Sequence, residues 1–396
     1  MLTQSPSSIE TRRQALQASI DTRRSAAERN RLGQFATPNA LAREVAEYVA
    51  TLTAEFPGAV RFADPAVGSG SFYSAALTVF GAGRIESALG IEIDPAFANA
   101  ARDLWAEAGL DVTVGDFTRL VASDARPPSP NIILVNQPYV RHHHLTREDK
   151  ERLQRLVLRM TGIEVNGLAG LYVYFLLLAT AWMQDDGVAA WLIPSEFMDV
   201  NYGKALKEFL TDRVTLIRVH RFDPDDIQFG DALVSSAILV FHKAPSPACH
   251  AVEFSLGGTL TVPRASEFVP VETLRLARKW TAFPGHVTND RRAANDSAGP
   301  TLGDIFRIQR GIATGCNGFF ILERTAAQHH DLPDGCLRPI LPSPRHLTTT
   351  IIDADSDGFV STHNSASSTV TCPNPSSRRN TPSFGPTCKA PEPSGS

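Results

Sequence analysis

The stretch DPAVGSGSF, from Asp64 to Phe72, follows an apolar run, carries glycines at positions 68 and 70, and opens a predicted helix. Glycines there let the backbone turn tightly and approach a ligand, while the helix N-terminus offers unpaired N–H groups. The same turn also occurs without any ligand, so it does not stand alone. Further on, GIEIDP sets Glu92 and Asp94 at the end of the next predicted strand. An acidic residue at that place accepts hydrogen bonds from both hydroxyls of a ribose. Asp94, directly before Pro95, fits a helix cap better, so the ribose is assigned to Glu92 and the cap to Asp94. After a third strand comes GDF, with Asp116 placed to accept from an adenine amino group and Phe117 to stack on the ring. Acidic residues at three successive strand ends mark one edge of a sheet, where doubly wound folds bind nucleotides.

The elements that must position these residues follow from the hydrophobic pattern. Short β-like runs at residues 60–63, 87–93, 112–114, 131–135, 188–193, 215–220 and 233–242 alternate with helical stretches. That alternation predicts right-handed βαβ units and a mostly parallel sheet. The last run follows FDPDDIQFGDA rather than a helix, and predicts a closing antiparallel strand at the sheet edge. Residues 8–32 interleave six arginines with acids, and Ile9, Leu16 and Ile20 share one helical face. This reads as an N-terminal helical extension packed on the next domain or, alternatively, as a basic arm for nucleic acid. Near Pro245 a linker is expected to begin, with residues 250–360 forming a separate module. The Ser, Thr, Pro and Asn-rich stretch 361–396 lacks large apolar residues and is expected to be disordered.

Composition limits the functions further. The 396 residues, 43% hydrophobic, are long enough for two or three domains, each with its own core. Lys and Arg total 38 against 42 Asp and Glu, a net charge of -4, so any nucleic-acid face must be local. Five cysteines, all beyond residue 248 and none in a CxxC pair, argue against a disulfide framework and a zinc site. No apolar run approaches the ~20 residues of a membrane span, and the expectation is a monomeric cytoplasmic protein.

After the fourth strand stands ILVNQPYV, with Asn136, Gln137, Pro138 and Tyr139. Here the chain resembles the amino-group DNA methyltransferases, whose signature is Asn-Pro-Pro-Tyr or a close relative. GQFATP (33–38), GLYVYF (170–175), IPSEFM (193–198) and FGDALVSSAILVFHK from Phe229 are similar to further motifs of that family and fall in the same order. That order is the γ arrangement of the TaqI-type N6-adenine enzymes, and the resemblance covers about residues 30 to 245. It implies a Rossmann-like class I methyltransferase fold, α/β with a mixed seven-stranded sheet over residues 33–245, followed by a smaller recognition domain. It also implies S-adenosylmethionine as cofactor, held by Thr37, Asp64, Ala66, Gly68, Gly70, Glu92, Ile93, Asp116 and Phe117. Double-stranded DNA would be the substrate, contacted by Phe229 and Arg141, and a cognate restriction endonuclease the functional partner. The triple His142–His144 after Arg141 is read as a loop near DNA phosphate rather than a metal site, because adjacent histidines cannot all face one ion.

The chemistry of the motif agrees with that role. Adenine's exocyclic nitrogen is a poor nucleophile, since its lone pair is delocalised into the ring. The Asn136 amide oxygen and the Gln137 backbone carbonyl accept its two hydrogens, drawing the nitrogen toward tetrahedral geometry. No cysteine lies nearby, which disfavours cytosine C5 chemistry. The family most often has Pro where Gln137 stands; the carbonyl survives, but a φ restraint is lost. Alternatives at this point are a protein-glutamine or RNA methyltransferase, or a non-catalytic specificity subunit that retains the cofactor fold. RIQRGIATGCNGFFIL, reaching Leu322, resembles the start of a recognition domain. The stretch after residue 360 reads as out of frame, implying a truncated or frameshifted end.

Overall fold

Helices α1 (Pro6–Asp21) and α2 (Asn39–Leu52) precede a run of alternating elements: β1 (Val60–Asp64), α3 (Ser71–Phe80), β2 (Ile85–Glu92), α4 (Pro95–Trp105) and β3 (Leu110–Val114). A short α5 (Phe117–Leu120), β4 (Ile132–Asn136), α6 (Arg147–Thr161), α7 (Leu171–Trp182), β5 (Val188–Pro194), α8 (Lys204–Asp212) and β6 (Thr215–Arg221) follow. β7 (Ser236–His242), β8 (Ala251–Gly258), β9 (Pro263–Pro270) and α9 (Val271–Leu276) complete the first unit. The computed structural model describes residues 6–22, 33, 35–54, 58–122, 128–223, 235–285, 305, 321–333, 337–339 and 368–371. Two units are separable, residues 1–298 and 299–396.

One sheet runs through the first unit in the order β3-β2-β1-β4-β5-β7-β6-β8-β9. Strands β1 to β5 are parallel, and β7 lies antiparallel between β5 and β6. This is the mixed sheet of the class I methyltransferases, extended by two strands. Two expectations are corrected here. The sheet has nine strands rather than seven, because β8 pairs parallel with β6 and β9 pairs antiparallel with β8. The expected boundary near 245 thus falls inside the sheet. β7 is antiparallel as expected but interior: its first six residues are all buried, as required of a strand covered on both faces.

Alternation along the strands divides the core between two faces. Phe62, Leu134 and Ala190 pack with α2, α3 and α4, whereas Ala63, Val135 and Trp191 pack with α6, α7 and α8. The period of two sends neighbours in sequence to opposite faces. Asp94 caps α4 by accepting from the Ala96 N–H, with Pro95 at the first helical position. Thr146 caps α6, whose Leu153, Leu156 and Val157 are buried while most of its charges face outward. The second unit holds an antiparallel sheet, β10 (Ile321–Glu323), β12 (Ser368–Thr371) and β11 (Leu337–Pro339), with α10 (Arg324–His329). Residues 368–371 thus form a strand within the tail expected to be disordered, because their backbone pairs on both sides. Most of the rest of that tail, and of the RIQRG segment, lies outside the described residues.

Under the β6–β8 junction is a buried polar cluster. His220 is fully buried, its Nδ1 2.9 Å from Ser255 Oγ, and Arg218 pairs with Glu253 at 3.0 Å. Burial, and then the Arg218 charge, push the His220 pKa down to about 4. An unfolded chain takes up this proton near pH 6.5, so between pH 6.5 and 4 acid favours the unfolded state. The protein is expected to lose about 3 kcal/mol of stability across that window, absent above it. Denaturant unfolding of the wild type and His220→Gln at pH 7 and 4.5 checks this; equal losses in both proteins would assign the acid sensitivity elsewhere.

Candidate active site

The carboxyl ends of β1, β2, β3 and β4 open onto one cavity. Its wall includes Pro65, Ala66 and Gly68 after β1, Glu92 and Ile93 at the end of β2, Asp116 and Phe117 after β3, and Asn136 and Pro138 at the end of β4. Adjoining it is a smaller recess shared by Thr37, Asp64, Gly68 and Asn136. The structure therefore brings Ala66, Gly68, Glu92, Ile93, Asp116, Phe117 and Asn136 together around one space, as a crevice at a topological switch of strand order requires.

Each acid is set by backbone. Glu92, nearly buried, accepts from the Gly68 N–H at 3.0 Å through one oxygen and from the Asp94 N–H at 2.9 Å through the other. A carboxylate offers about four lone-pair sites, so beyond these N–H groups and that of Ile93, Glu92 retains acceptor capacity for a ribose hydroxyl. Burial raises the Glu92 pKa against the pull of those hydrogen bonds. Asp64 is fully buried, accepts from the Ala66 N–H at 3.0 Å, and is pushed well up by desolvation and by the neighbouring Glu92. Asp116 caps α5: its Oδ1 accepts from the Thr118 N–H and hydroxyl, and its Oδ2 lies 3.4 Å from Arg119 and 3.7 Å from Arg152. Arg152, on α6, also donates to the Thr118 hydroxyl at 3.0 Å.

Two glycines in the turn differ in role. Gly68 has φ +54°, and a Cβ there meets nothing within 4 Å, so the turn leaves space open at the cavity wall. Gly70 is not on that wall; its Cβ would come 2.4 Å from Trp105 Nε1, which donates to the Ser69 carbonyl. Close packing of α3 on α4 therefore accounts for Gly70. Phe117 reaches the wall but is 2% exposed, packed on Phe175 at 4.7 Å and Trp182 at 5.6 Å, whereas Ile93 is 65% exposed beside the opening. Ile93 is thus the apolar wall residue with a free face.

The NQPY segment is held by the GQFATP loop. Asn136 Nδ2 donates to the Phe35 carbonyl at 2.9 Å and to Thr37 Oγ1 at 3.2 Å, while its Oδ1 is buried without a partner. Thr37, expected on the cofactor, orients Asn136 and also stands on the wall of the adjoining recess. The Gly33 carbonyl accepts from the Tyr139 N–H at 3.2 Å. Tyr139 is buried rather than presented to the cavity: its ring lies 5.8 Å from Phe35, and its hydroxyl donates to Ser236 Oγ at 3.2 Å, with burial raising its pKa. Gln137 is 1% exposed, and both polar atoms of its side-chain amide lack partners. Arg141 is exposed ahead of a 3₁₀ turn at His142–His144. Phe229 lies outside the described residues. The sequence reading missed Phe35, Phe97, Phe175 and Ser236; the resemblance of GQFATP, GLYVYF and FGDALVSSAILVFHK to family motifs covered three of these residues without assigning them a contact.

Fold and site together define a class I methyltransferase architecture with an Asn-x-Pro-Tyr loop at its crevice. The Eco57I restriction-modification methylase family model matches residues 131–228. The chain is 30% identical over 327 residues to the type II methyltransferase M.XamI of Xanthomonas campestris pv. amaranthicola, covering 80% of this chain and 58% of the relative. It is 25% identical over 232 residues to the type II methyltransferase M.AccI of Acinetobacter calcoaceticus, covering 55% and 41%. The chain thus spans about half the length of the curated relatives it matches. The solved type IIG restriction endonuclease BpuSI shares the fold at a TM-score of 0.51 and 16% identity, over 88% of this chain and 44% of that one. Over the matched residues the chain is thus similar to type II restriction-modification methyltransferases.

Proposed function

We propose that the chain transfers a methyl group from S-adenosylmethionine to the N6 amino group of adenine in duplex DNA, within a short specific site. The observation that carries this reading is Asn136 Oδ1, a buried acceptor with no partner, fixed in place because its own Nδ2 is bound to Phe35 and Thr37. A buried unsatisfied acceptor is costly, and a substrate N–H relieves that cost.

The cavity fits the cofactor: Glu92 retains acceptor capacity for the ribose, Gly68 leaves space for a ligand, and Ile93 presents an open apolar face. When bound, S-adenosylmethionine supplies an electrophilic methyl group on a sulfonium. Asn136 Oδ1 and the Gln137 carbonyl hold the two amine hydrogens and stabilise the positive charge that develops on nitrogen. The target base must leave the duplex to reach them, with Tyr139 and Phe229 replacing the stacking it loses. Since the Tyr139 ring is packed against Phe35, that role requires the ring to turn out when DNA binds. Arg141, exposed at the mouth of the loop, is suited to a phosphate. In this reading the protein acts as a cytoplasmic monomer, and methylation protects the site from a partner endonuclease by altering adenine's major-groove edge. No helix among the described residues is long and apolar enough to cross a membrane.

Tritiated methyl transfer to defined duplexes, followed by nucleoside analysis, tests the assignment. N6-methyladenine is expected; N4-methylcytosine, or label in RNA or protein alone, overturns it. Glu92→Ala is expected to weaken cofactor binding by about 1–3 kcal/mol, roughly 5- to 150-fold, because a charged acceptor is lost and the Gly68 turn is released. Unchanged affinity by calorimetry would remove Glu92 from the site.

A further inference from the structure

Tyr139 and Ser236 are 97 residues apart and meet across the end of the sheet. β7 opens at Ser236, which is buried and paired with Pro194 of β5, while the Ser195 N–H donates to the Ser235 carbonyl at 2.8 Å. Strand pairing therefore makes the Ser236 hydroxyl a fixed post. Since β5 lies between β4 and β7, the Tyr139 side chain must reach past the end of β5 to place its hydroxyl 3.2 Å from Ser236 Oγ. The backbone of Tyr139 is held separately, its N–H donating to the Gly33 carbonyl. Ring and main chain are thus fastened by different partners, and the ring can swing about its side-chain torsions while the NQPY loop stays in place.

A flipped base needs a ring face to stack on, and the Tyr139 ring now lies buried beside Phe35, so it must leave this place as the base arrives. Leaving gives up two things. Burial of the ring is returned by the base that stacks on it. The hydroxyl bond to Ser236 is not returned by a base face, so it favours the closed position alone. A protein whose open state is a minor fraction binds its ligand more weakly by that fraction. We propose that Ser236 is a positioning residue that latches the Tyr139 ring in the closed position, so that contacts with duplex DNA must outweigh this bond before the base is taken up. The latch rests on the DNA methyltransferase reading and adds to it a threshold for base flipping, with binding energy spent on assembling the site.

Nitration of the full chain with tetranitromethane, followed at the Tyr139 peptide by mass spectrometry, tests the latch without DNA. Ser236→Ala is expected to speed nitration of Tyr139 about 2- to 10-fold, the worth of one neutral hydrogen bond. Ser236→Thr keeps a hydroxyl and is expected to match the wild type. Tyr73, buried in α3, is the folding control, and its nitration should stay slow throughout. With plasmid DNA as methyl acceptor, Ser236→Ala is expected to lower KM for DNA by the same factor, the change falling on KM rather than kcat. Tyr139→Phe removes the bond from the other side, so adding Ser236→Ala to it should move KM little further. Unchanged Tyr139 nitration, unchanged KM, or equal acceleration at Tyr73 overturns the latch. A raised KM or slower transfer overturns it too, since the bond would then belong to the productive state. Wild-type protein that methylates no DNA overturns the reading beneath it, whatever the nitration rates.

Discussion

Asn136→Ala is expected to lower methyl transfer by about 10²- to 10³-fold, the loss typical of one preorganised polar group at a developing charge. The side chain does two jobs at once. Its Nδ2 is spent on Phe35 and Thr37, which fixes the direction of Oδ1, and Oδ1 is left as a desolvated acceptor. Since the acceptor contributes mainly as charge develops on nitrogen, the loss should fall on single-turnover rate, with cofactor affinity nearly intact. Removing the amide also removes a buried unsatisfied oxygen, so folding stability should fall little. A variant that loses cofactor binding as much as rate would make Asn136 a binding residue instead.

Gly33→Ala is expected to reduce transfer by about 10²-fold without touching any reacting group, because misplacing a catalytic group by about 1 Å has that effect. Gly33 has φ +65°, and a Cβ on it would stand 2.4 Å from the Tyr139 nitrogen and 2.8 Å from its carbonyl carbon. These are backbone atoms and cannot step aside as a flexible side chain could. Either the GQFATP loop withdraws, taking Phe35 and Thr37 from Asn136, or the NQPY segment shifts. Gly162→Ala is the control: its φ is +71°, yet a Cβ there meets nothing within 4 Å. It carries only the left-handed backbone penalty, about 1 to 2 kcal/mol, and should leave turnover unchanged. Thermal unfolding beside kinetics on both variants separates collision from strain; equal activity in the two would show that the loop does not position Asn136.

Much of this protein was legible from its residues. Short β-like runs, broken by Gly, Asp and Asn, marked the seven strands of the methyltransferase sheet to within a few residues, since side-chain alternation and turn chemistry are local properties. The same locality marked the acids at strand ends: Glu92 and Asp94 differ by two positions, and Pro95 alone separated cap from ligand. Tertiary structure decided what depends on distant partners. Residues 250–360 read as a separate module, and nothing local showed that β8 would pair with β6 and carry the sheet past the expected boundary. Thr37 was assigned to the cofactor and Gly70 to the ligand turn, yet their contacts are an amide 99 residues away and an indole on the next helix. Phe117 followed the aspartate that motif order led us to expect and is nonetheless committed to the core by Phe175 and Trp182. The pattern of α1 marked a helix packed on the next domain, but only the buried fork of Arg13 on Ser69 shows that it packs beside the Gly-rich turn. A sequence displays periodicity and local hydrogen-bonding chemistry directly, but burial and side-chain partners arise only when segments tens of residues apart are packed together.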